Sequence, residues 1–195
     1  MLLYAITQRS LFPGDESNRE QALVDQARRL AKGGAHYLQI REKDLRHRRL
    51  QSLAASLVAA VQAEGCPMKI LLNGPPALAL KAGCHGIHLP SNAPANAAVN
   101  ARRIYDRAGR ECIISAACHS AQEINERSTG VDLLLFSPIF EKLTPKGMNP
   151  GVGISALAKV VSQARPTPVL ALGGNCIPKD GALLRASSYS GSFRC

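Results

Sequence analysis

The sequence predicts an α/β fold in which parallel βα units close into a barrel. Three features carry that expectation. Short, β-rich apolar runs alternate with longer segments of helical period along the whole chain. The runs are apolar at consecutive positions, as in strands buried on both faces. No Gly-rich dinucleotide fingerprint follows the first run, which favours a closed barrel over a doubly wound sheet. In order, Leu2 to Ile6 is the first strand and is followed by a helix at about 18–31. Ala35 to Ile40 leads to a helix at 47–64, Lys69 to Leu72 to one at 76–82, and Gly86 to Leu89 to one at 95–108. Ile113 to Ala116 precedes a helix at 120–128, Val131 to Phe136 precedes one at 154–164, and Pro168 to Leu172 precedes a weaker helical segment at 178–186.

In a barrel of this kind functional groups gather at the C-terminal ends of the strands. The polar residues fall there. Thr7 and Arg9 follow the first strand, Gln39, Arg41 and Lys43 end the second, and Asn73 ends the third. His88 ends the fourth strand and His119 follows the fifth. A Gly/Pro-rich loop from Ser137 to Val152, with Thr144 and Lys146, follows the sixth, and Gly173-Gly174 follow the seventh. The second strand is the most informative. Gln39, Arg41 and Lys43 occupy alternate positions, so on an extended strand they share a face and present two cations and an amide to one anion. A merely solvated strand end is the alternative; the other polar strand ends favour the anion-binding reading.

A chain of 195 residues, 46% apolar and 19% charged, suits one soluble domain. No apolar stretch approaches the ~20 residues a bilayer requires, and the N-terminus lacks a basic n-region, so a cytoplasmic protein is expected. The 6 cysteines include no C-x-x-C pair and read as small buried hydrophobes, with neither a disulfide framework nor a zinc site. The net charge of +10 lies partly in clusters such as Arg28-Arg29, Arg46-His47-Arg48-Arg49 and Arg102-Arg103. Most sit on helical segments, where solvation of an outer face is their ordinary role and anion steering the remaining one. With 4% aromatics, no Trp and no nucleic-acid motif, nucleic acid is not an expected partner.

Several motifs, taken in order, resemble the thiamine-phosphate synthase/TenI (thiazole tautomerase) superfamily. They are Leu3-Tyr4-Ala5-Ile6-Thr7, Leu38-Gln39-Ile40-Arg41-Glu42-Lys43-Asp44, Leu71-Leu72-Asn73, the Ala82 to Leu89 segment, Cys118-His119-Ser120, Ser137-Pro138-Ile139-Phe140 and Ala171-Leu172-Gly173-Gly174. The resemblance implies a (β/α)8 TIM-type barrel, here a single domain over residues 1–186. It implies a transferase of thiamine biosynthesis that joins a pyrimidine-methyl diphosphate to a thiazole phosphate and releases pyrophosphate, with small phosphorylated pyrimidine and thiazole ligands as its partners. Arg41 and Lys43 match the diphosphate contacts, and Gln39 lies beside them. Asn73 and Thr144 match polar binding residues, with Lys146 in the same loop, and the Gly173-Gly174 amides would cradle the thiazole phosphate. Mg²⁺ is the implied cofactor.

The departures are specific. Gly74 stands where the first magnesium aspartate is expected, and Ala93, or at best Asn92, where the second is expected. Neither Gly nor Ala ligates a hard cation, so no metal-binding side chain is assigned. Ala117 replaces a serine, with Ser115 one strand period upstream, and Pro145-Lys146 reverses a common order. His119 opens a second reading, because in the thiazole tautomerase a histidine at this motif is the general acid/base. A third reading is a non-catalytic phosphate-ligand-binding paralogue. Only about twenty residues follow Gly174, so the eighth βα unit is expected to be missing or vestigial, with 187–195 an atypical tail. A barrel left open in this way would expose strand edges, which admits association into a homo-oligomer.

Overall fold

A computed structural model describes residues 2–144 and 147–172 of the chain. The element order is β1 (Tyr4–Ile6), α1 (Glu16–Lys32), β2 (Tyr37–Ile40), α2 (His47–Ala63), β3 (Lys69–Leu72), α3 (Pro76–Lys81), β4 (Gly86–Leu89) and α4 (Ala97–Asp106). It continues with β5 (Ile113–Cys118), α5 (Ala121–Arg127), β6 (Leu133–Phe136), β7 (Lys142–Thr144), β8 (Gly147–Asn149), α6 (Gly153–Gln163) and β9 (Val169–Ala171). Seven strands form one sheet in the order β1-β2-β3-β4-β5-β6-β9, and β7 and β8 form a separate antiparallel hairpin. Parallel strands joined by helices in sequential order are the TIM-type barrel arrangement the periodicity predicted. The hairpin was not predicted. Its two arms are too short to show a strand period, and the loop after β6 reads from sequence only as Gly/Pro-rich. The 178–186 helix, Gly173-Gly174 and the eighth βα unit lie outside the described residues.

The described residues fall into two compact units, one running to His88 with Asn100–Ile113, the other comprising Leu89–Val99 and Ile114 onward. In the first unit β1, β2 and β3 pair in parallel, with Tyr4 opposite Tyr37 and Leu38 opposite Ile70. Ile40, Ile70, Leu71 and Leu72 are fully buried, as strands covered on both faces require. Helix α1 starts at Asp15, whose side chain accepts the Asn18 N–H at 2.8 Å, and buries Leu23, Ala27, Leu30 and Ala31 on one stripe. Helix α2 buries Leu50, Leu53, Ala54, Leu57, Val58, Ala60 and Val61. In the second unit β5, β6 and β9 pair in parallel, and all four residues of β6 are buried. Cys84 and Cys118 are buried and unpaired, and burial pushes their thiols up to about 12 and about 11. They are inert core residues, as expected.

A repeated junction appears that periodicity alone does not reveal. His36 donates its N–H to the Leu3 carbonyl at 2.9 Å, and its Nδ1 accepts the Leu3 N–H at 3.2 Å. His85 does the same to Ile70, at 2.8 and 3.1 Å. Asp132 does it to Ile114, at 2.8 Å through its N–H and 2.7 Å through Oδ2. Each follows a Gly-X pair (Gly34-Ala35, Gly83-Cys84, Gly130-Val131) whose second member is buried. The side chain thus satisfies a backbone donor at the start of the neighbouring strand. It also explains why β2 starts at Tyr37 and not at Ala35.

Two of the three caps are imidazoles, which stop accepting once protonated. Burial, helped by the nearby positive charges of Lys69 and Arg110, holds the His85 pKa below its ordinary value. The unfolded chain therefore binds the proton more readily than the folded one. The stability this cap contributes is fully present above the unfolded value near 6.5 and is lost as pH falls below it. Urea midpoints should drop between pH 7.5 and 5.5, and His85→Asp, which copies Asp132, should flatten that drop by about 1 kcal/mol. An unchanged slope would show that the cap does not titrate there.

Candidate active site

The comb of alternate residues requires extended backbone through Lys43, but the second strand stops where its apolar run stops. It ends at Ile40, so of the three comb residues only Gln39 lies within it. Gln39 is buried and its Oε1 accepts the Tyr4 hydroxyl at 3.2 Å. Arg41 and Lys43 lie past the strand and are exposed. The cause is local. β1 ends at Ile6, and the next residue, Thr7, takes the Arg41 N–H onto its side-chain Oγ1 at 2.9 Å, turning the chain out of the ladder. Arg41, Lys43, Arg46 and Arg48 are all exposed, and among the described residues none pairs with a carboxylate.

The alternate residues, Glu42 and Asp44, face a different partner. Arg9, expected as a rim cation, is 5% exposed and wholly engaged. Its Nη1 donates to Glu42 Oε2 at 3.0 Å and Asp44 Oδ1 at 2.8 Å, its Nη2 to Asp44 Oδ2 at 2.5 Å, and its Nε to Glu16 Oε2 at 3.0 Å. Its backbone N–H donates to Glu42 Oε1 at 3.1 Å. These bonds hold the Asp44 carboxyl down at about 2 and lower that of Glu16 as well, while the Arg9 pKa is raised. Sequence reasoning placed Arg9 at the site but missed that it serves the carboxylates. The interleaving of acid and base over 41–44 was the available signal.

Asn73 is half-buried after β3 and donates its N–H to the Ile40 carbonyl at 2.9 Å. Beside it, a Cβ at Gly74 would lie 3.3 Å from the Leu72 side chain, so an Asp there asks only a small shift of a flexible neighbour. His88 is buried within β4.

In the second unit His119 follows β5 and is exposed. Helix α5 has a capping arrangement next to it. Ser120 Oγ accepts the Glu123 N–H at 3.2 Å, and Glu123 Oε2 accepts the His119 N–H at 2.9 Å. The ring Nδ1 is 2.8 Å from the Ser137 carbonyl and 3.3 Å from the Ser137 hydroxyl. A carbonyl can only accept, so in the neutral ring the proton sits on Nδ1 and Nε2 is left as a base. From sequence Ser137 entered only as the first residue of the Ser137-Pro138-Ile139-Phe140 motif, with no role assigned to its side chain. The segment with Ala93 is held by Arg127, which donates to the carbonyls of Pro90 at 3.2 Å, Ala93 at 3.4 Å and Ser91. Thr144 lies in β7, opposite Gly147. Lys146, Gly173 and Gly174 lie outside the described residues.

The donor set does not suit a hard cation. Gly74 and Ala93 carry no side-chain oxygen, Glu42 and Asp44 are committed to Arg9, and among the described residues no three His, Cys, Asp or Glu side chains are placed to hold a metal ion. Among the described residues, no helix is long and apolar enough to cross a membrane.

Fold and strand-end chemistry together define a TIM-type barrel of the βα-loop kind. The thiamine monophosphate synthase family matches residues 3–186, and the chain belongs to that family. It is 30% identical over 174 residues to the thiamine-phosphate synthase of Syntrophomonas wolfei, covering 88% of this chain and 76% of that one. It is also 30% identical over 177 residues to the thiamine-phosphate synthase of Thioalkalivibrio sulfidiphilus, covering 88% and 75%. Among solved structures, thiamine phosphate pyrophosphorylase from Pyrococcus furiosus superposes with a TM-score of 0.69 at 25% identity, over 92% of this chain and 77% of the other. The resemblance in the motifs is therefore a family relationship, and the chain is a thiamine-phosphate-synthase-like transferase.

Proposed function

We propose that the chain couples a pyrimidine-methyl diphosphate to a thiazole phosphate, and that Arg41 and Lys43 receive the departing pyrophosphate. The observation that carries this reading is the pair of exposed cations just past β2, without carboxylate partners among the described residues, in a chain of this family. As the pyrimidine methylene C–O bond breaks, negative charge builds on the leaving diphosphate and positive charge on the pyrimidine-methyl carbon. Cations already in place stabilise the first of these without reorganising. The thiazole nitrogen lone pair then forms the new C–N bond. No side chain need transfer a proton, which agrees with a site built around Arg and Lys. Gln39, Asn73, Thr144, Lys146 and the Gly173-Gly174 amides are assigned to substrate binding on the same reading. Gly74 and Ala93 supply no side-chain ligand for Mg²⁺, so charge on the leaving group is met by Arg41 and Lys43.

His119 favours a second reading, a thiazole tautomerase in which Nε2 carries the proton between ring positions. One assay separates the two. With both substrates present, thiamine phosphate should form at a rate that changes little when a chelator replaces Mg²⁺. Gly74→Asp combined with Ala93→Asp should make that rate Mg²⁺-stimulated. Isomerised thiazole without thiamine phosphate, abolished in His119→Asn, would assign the tautomerase. Phosphate-ligand binding with no product of either kind would assign a binding protein.

A further inference from the structure

The geometry points to Arg9 as a positioning residue that keeps the anion site from neutralising itself. This rests on the reading of Arg41 and Lys43 as the diphosphate cations. Over residues 41–44 the charges alternate: Arg41, Glu42, Lys43, Asp44. The two carboxylates lie one residue from the two cations, close enough to be felt well inside a screening length of about 8 Å. Left to themselves, they would compete with an incoming phosphate for Arg41 and Lys43. Arg9 takes both. Its guanidinium binds Asp44 through Nη1 at 2.8 Å and Nη2 at 2.5 Å, and Glu42 through Nη1 at 3.0 Å.

The exposure pattern distinguishes this from an ordinary structural ion pair. Glu42 is buried with Arg9, but the Asp44 side chain is 68% exposed and directly follows Lys43 in the chain. It is nonetheless turned onto Arg9 in the two-pronged geometry that holds a carboxylate most firmly. The result is a loop of neutral sequence in which both carboxylates are turned onto Arg9 while Arg41 and Lys43 hold no carboxylate among the described residues. Arg9 lies over thirty residues away in the chain, so the charge sorting is done by the fold.

The test is calorimetric titration of the full chain with inorganic pyrophosphate, each variant first checked for parental far-UV circular dichroism. Arg9→Gln should weaken binding about tenfold or more, because the two loop carboxylates lose their cation. Arg9→Lys keeps the charge and should stay within about threefold of the parent. The triple variant Arg9→Gln/Glu42→Gln/Asp44→Asn removes Arg9 together with both loop carboxylates and should return to within about threefold of the parent, Glu16 keeping Arg19 and Arg49 as partners. That rescue is the decisive readout, since a purely structural role for Arg9 would leave the triple variant as weak as the single one or weaker. A folded Arg9→Gln that binds like the parent, or a triple variant no tighter than Arg9→Gln, overturns the inference. Should Arg9→Gln fail to fold, a folded Arg9→Lys or triple variant binding about tenfold more weakly overturns it in the same way. Pyrophosphate binding that survives Arg41→Ala unchanged would instead remove the underlying reading. Binding lost in Arg41→Ala but untouched in Arg9→Gln removes this inference alone.

Discussion

Replacing Arg41 and Lys43 together by alanine is expected to weaken pyrophosphate binding about 100-fold. A hydrogen bond to a charged group contributes ~1.5–3 kcal/mol, and the lower end applies to exposed side chains, so each cation accounts for about tenfold. The two are neighbours and will couple, so the pair need not equal the product of the single variants. Stability should barely change, because neither side chain is buried and neither holds a carboxylate among the described residues. Titration with pyrophosphate reads the loss, and its dependence on salt separates screened surface attraction from direct contact. A double variant that binds within about twofold of the parent at 0.15 M salt would leave the diphosphate site without its cations.

Gly86→Ala is expected to be the most damaging small substitution in the first unit. An added Cβ would sit 1.8 Å from the Ile113 carbonyl oxygen and 2.6 Å from its carbon. Both atoms are backbone, and Ile113 is tied to His85 by its own N–H at 3.0 Å, so the obstacle cannot rotate away as a side chain could. The strand start at Gly86 must therefore separate from Ile113. Overpacking a flexible core costs ~1–3 kcal/mol, and a backbone clash this close should exceed about 3 kcal/mol, a large share of the 5–15 kcal/mol typical of a domain. Gly130→Ala is the matched control, because its Cβ would come no nearer than 3.9 Å to the Arg127 carbonyl. Urea unfolding compares the two; a Gly86→Ala midpoint close to that of Gly130→Ala would mean that the approach is relaxed in solution.

The imidazole and carboxylate caps show where sequence reading runs out within an element. Lys69 to Leu72 and Gly86 to Leu89 were expected as strands at their observed bounds, because a run buried on both faces is apolar throughout and stops abruptly. Ala35 and His36, by contrast, looked like strand, yet both precede β2 and His36 is a cap. Nothing in their period distinguishes the two, since the cap depends on Leu3 being brought alongside. β5 extends to Cys118, past the expected Ala116, because β6 pairs with it as far as Phe136 opposite Cys118. The β7–β8 hairpin was hidden for a related reason: three-residue arms are stabilised by each other and not by a pattern within either one.

What the sequence by itself determined is the alternation of βα units, their approximate bounds, the family, and the residue types gathered at strand ends. These follow from local periodicity and short motifs, which are properties of neighbouring residues. What only the tertiary structure decided is how those residues are used. Arg9 and Arg41 are the same side chain, both near strand ends, yet one is buried among three carboxylates and the other is exposed and unclaimed. Gln39 and Arg41 are two residues apart, yet one bonds Tyr4 inside the strand and the other lies beyond it. A charge's role depends on which opposite charge lies within about 4 Å, and that neighbour is set by folding across more than thirty residues of chain.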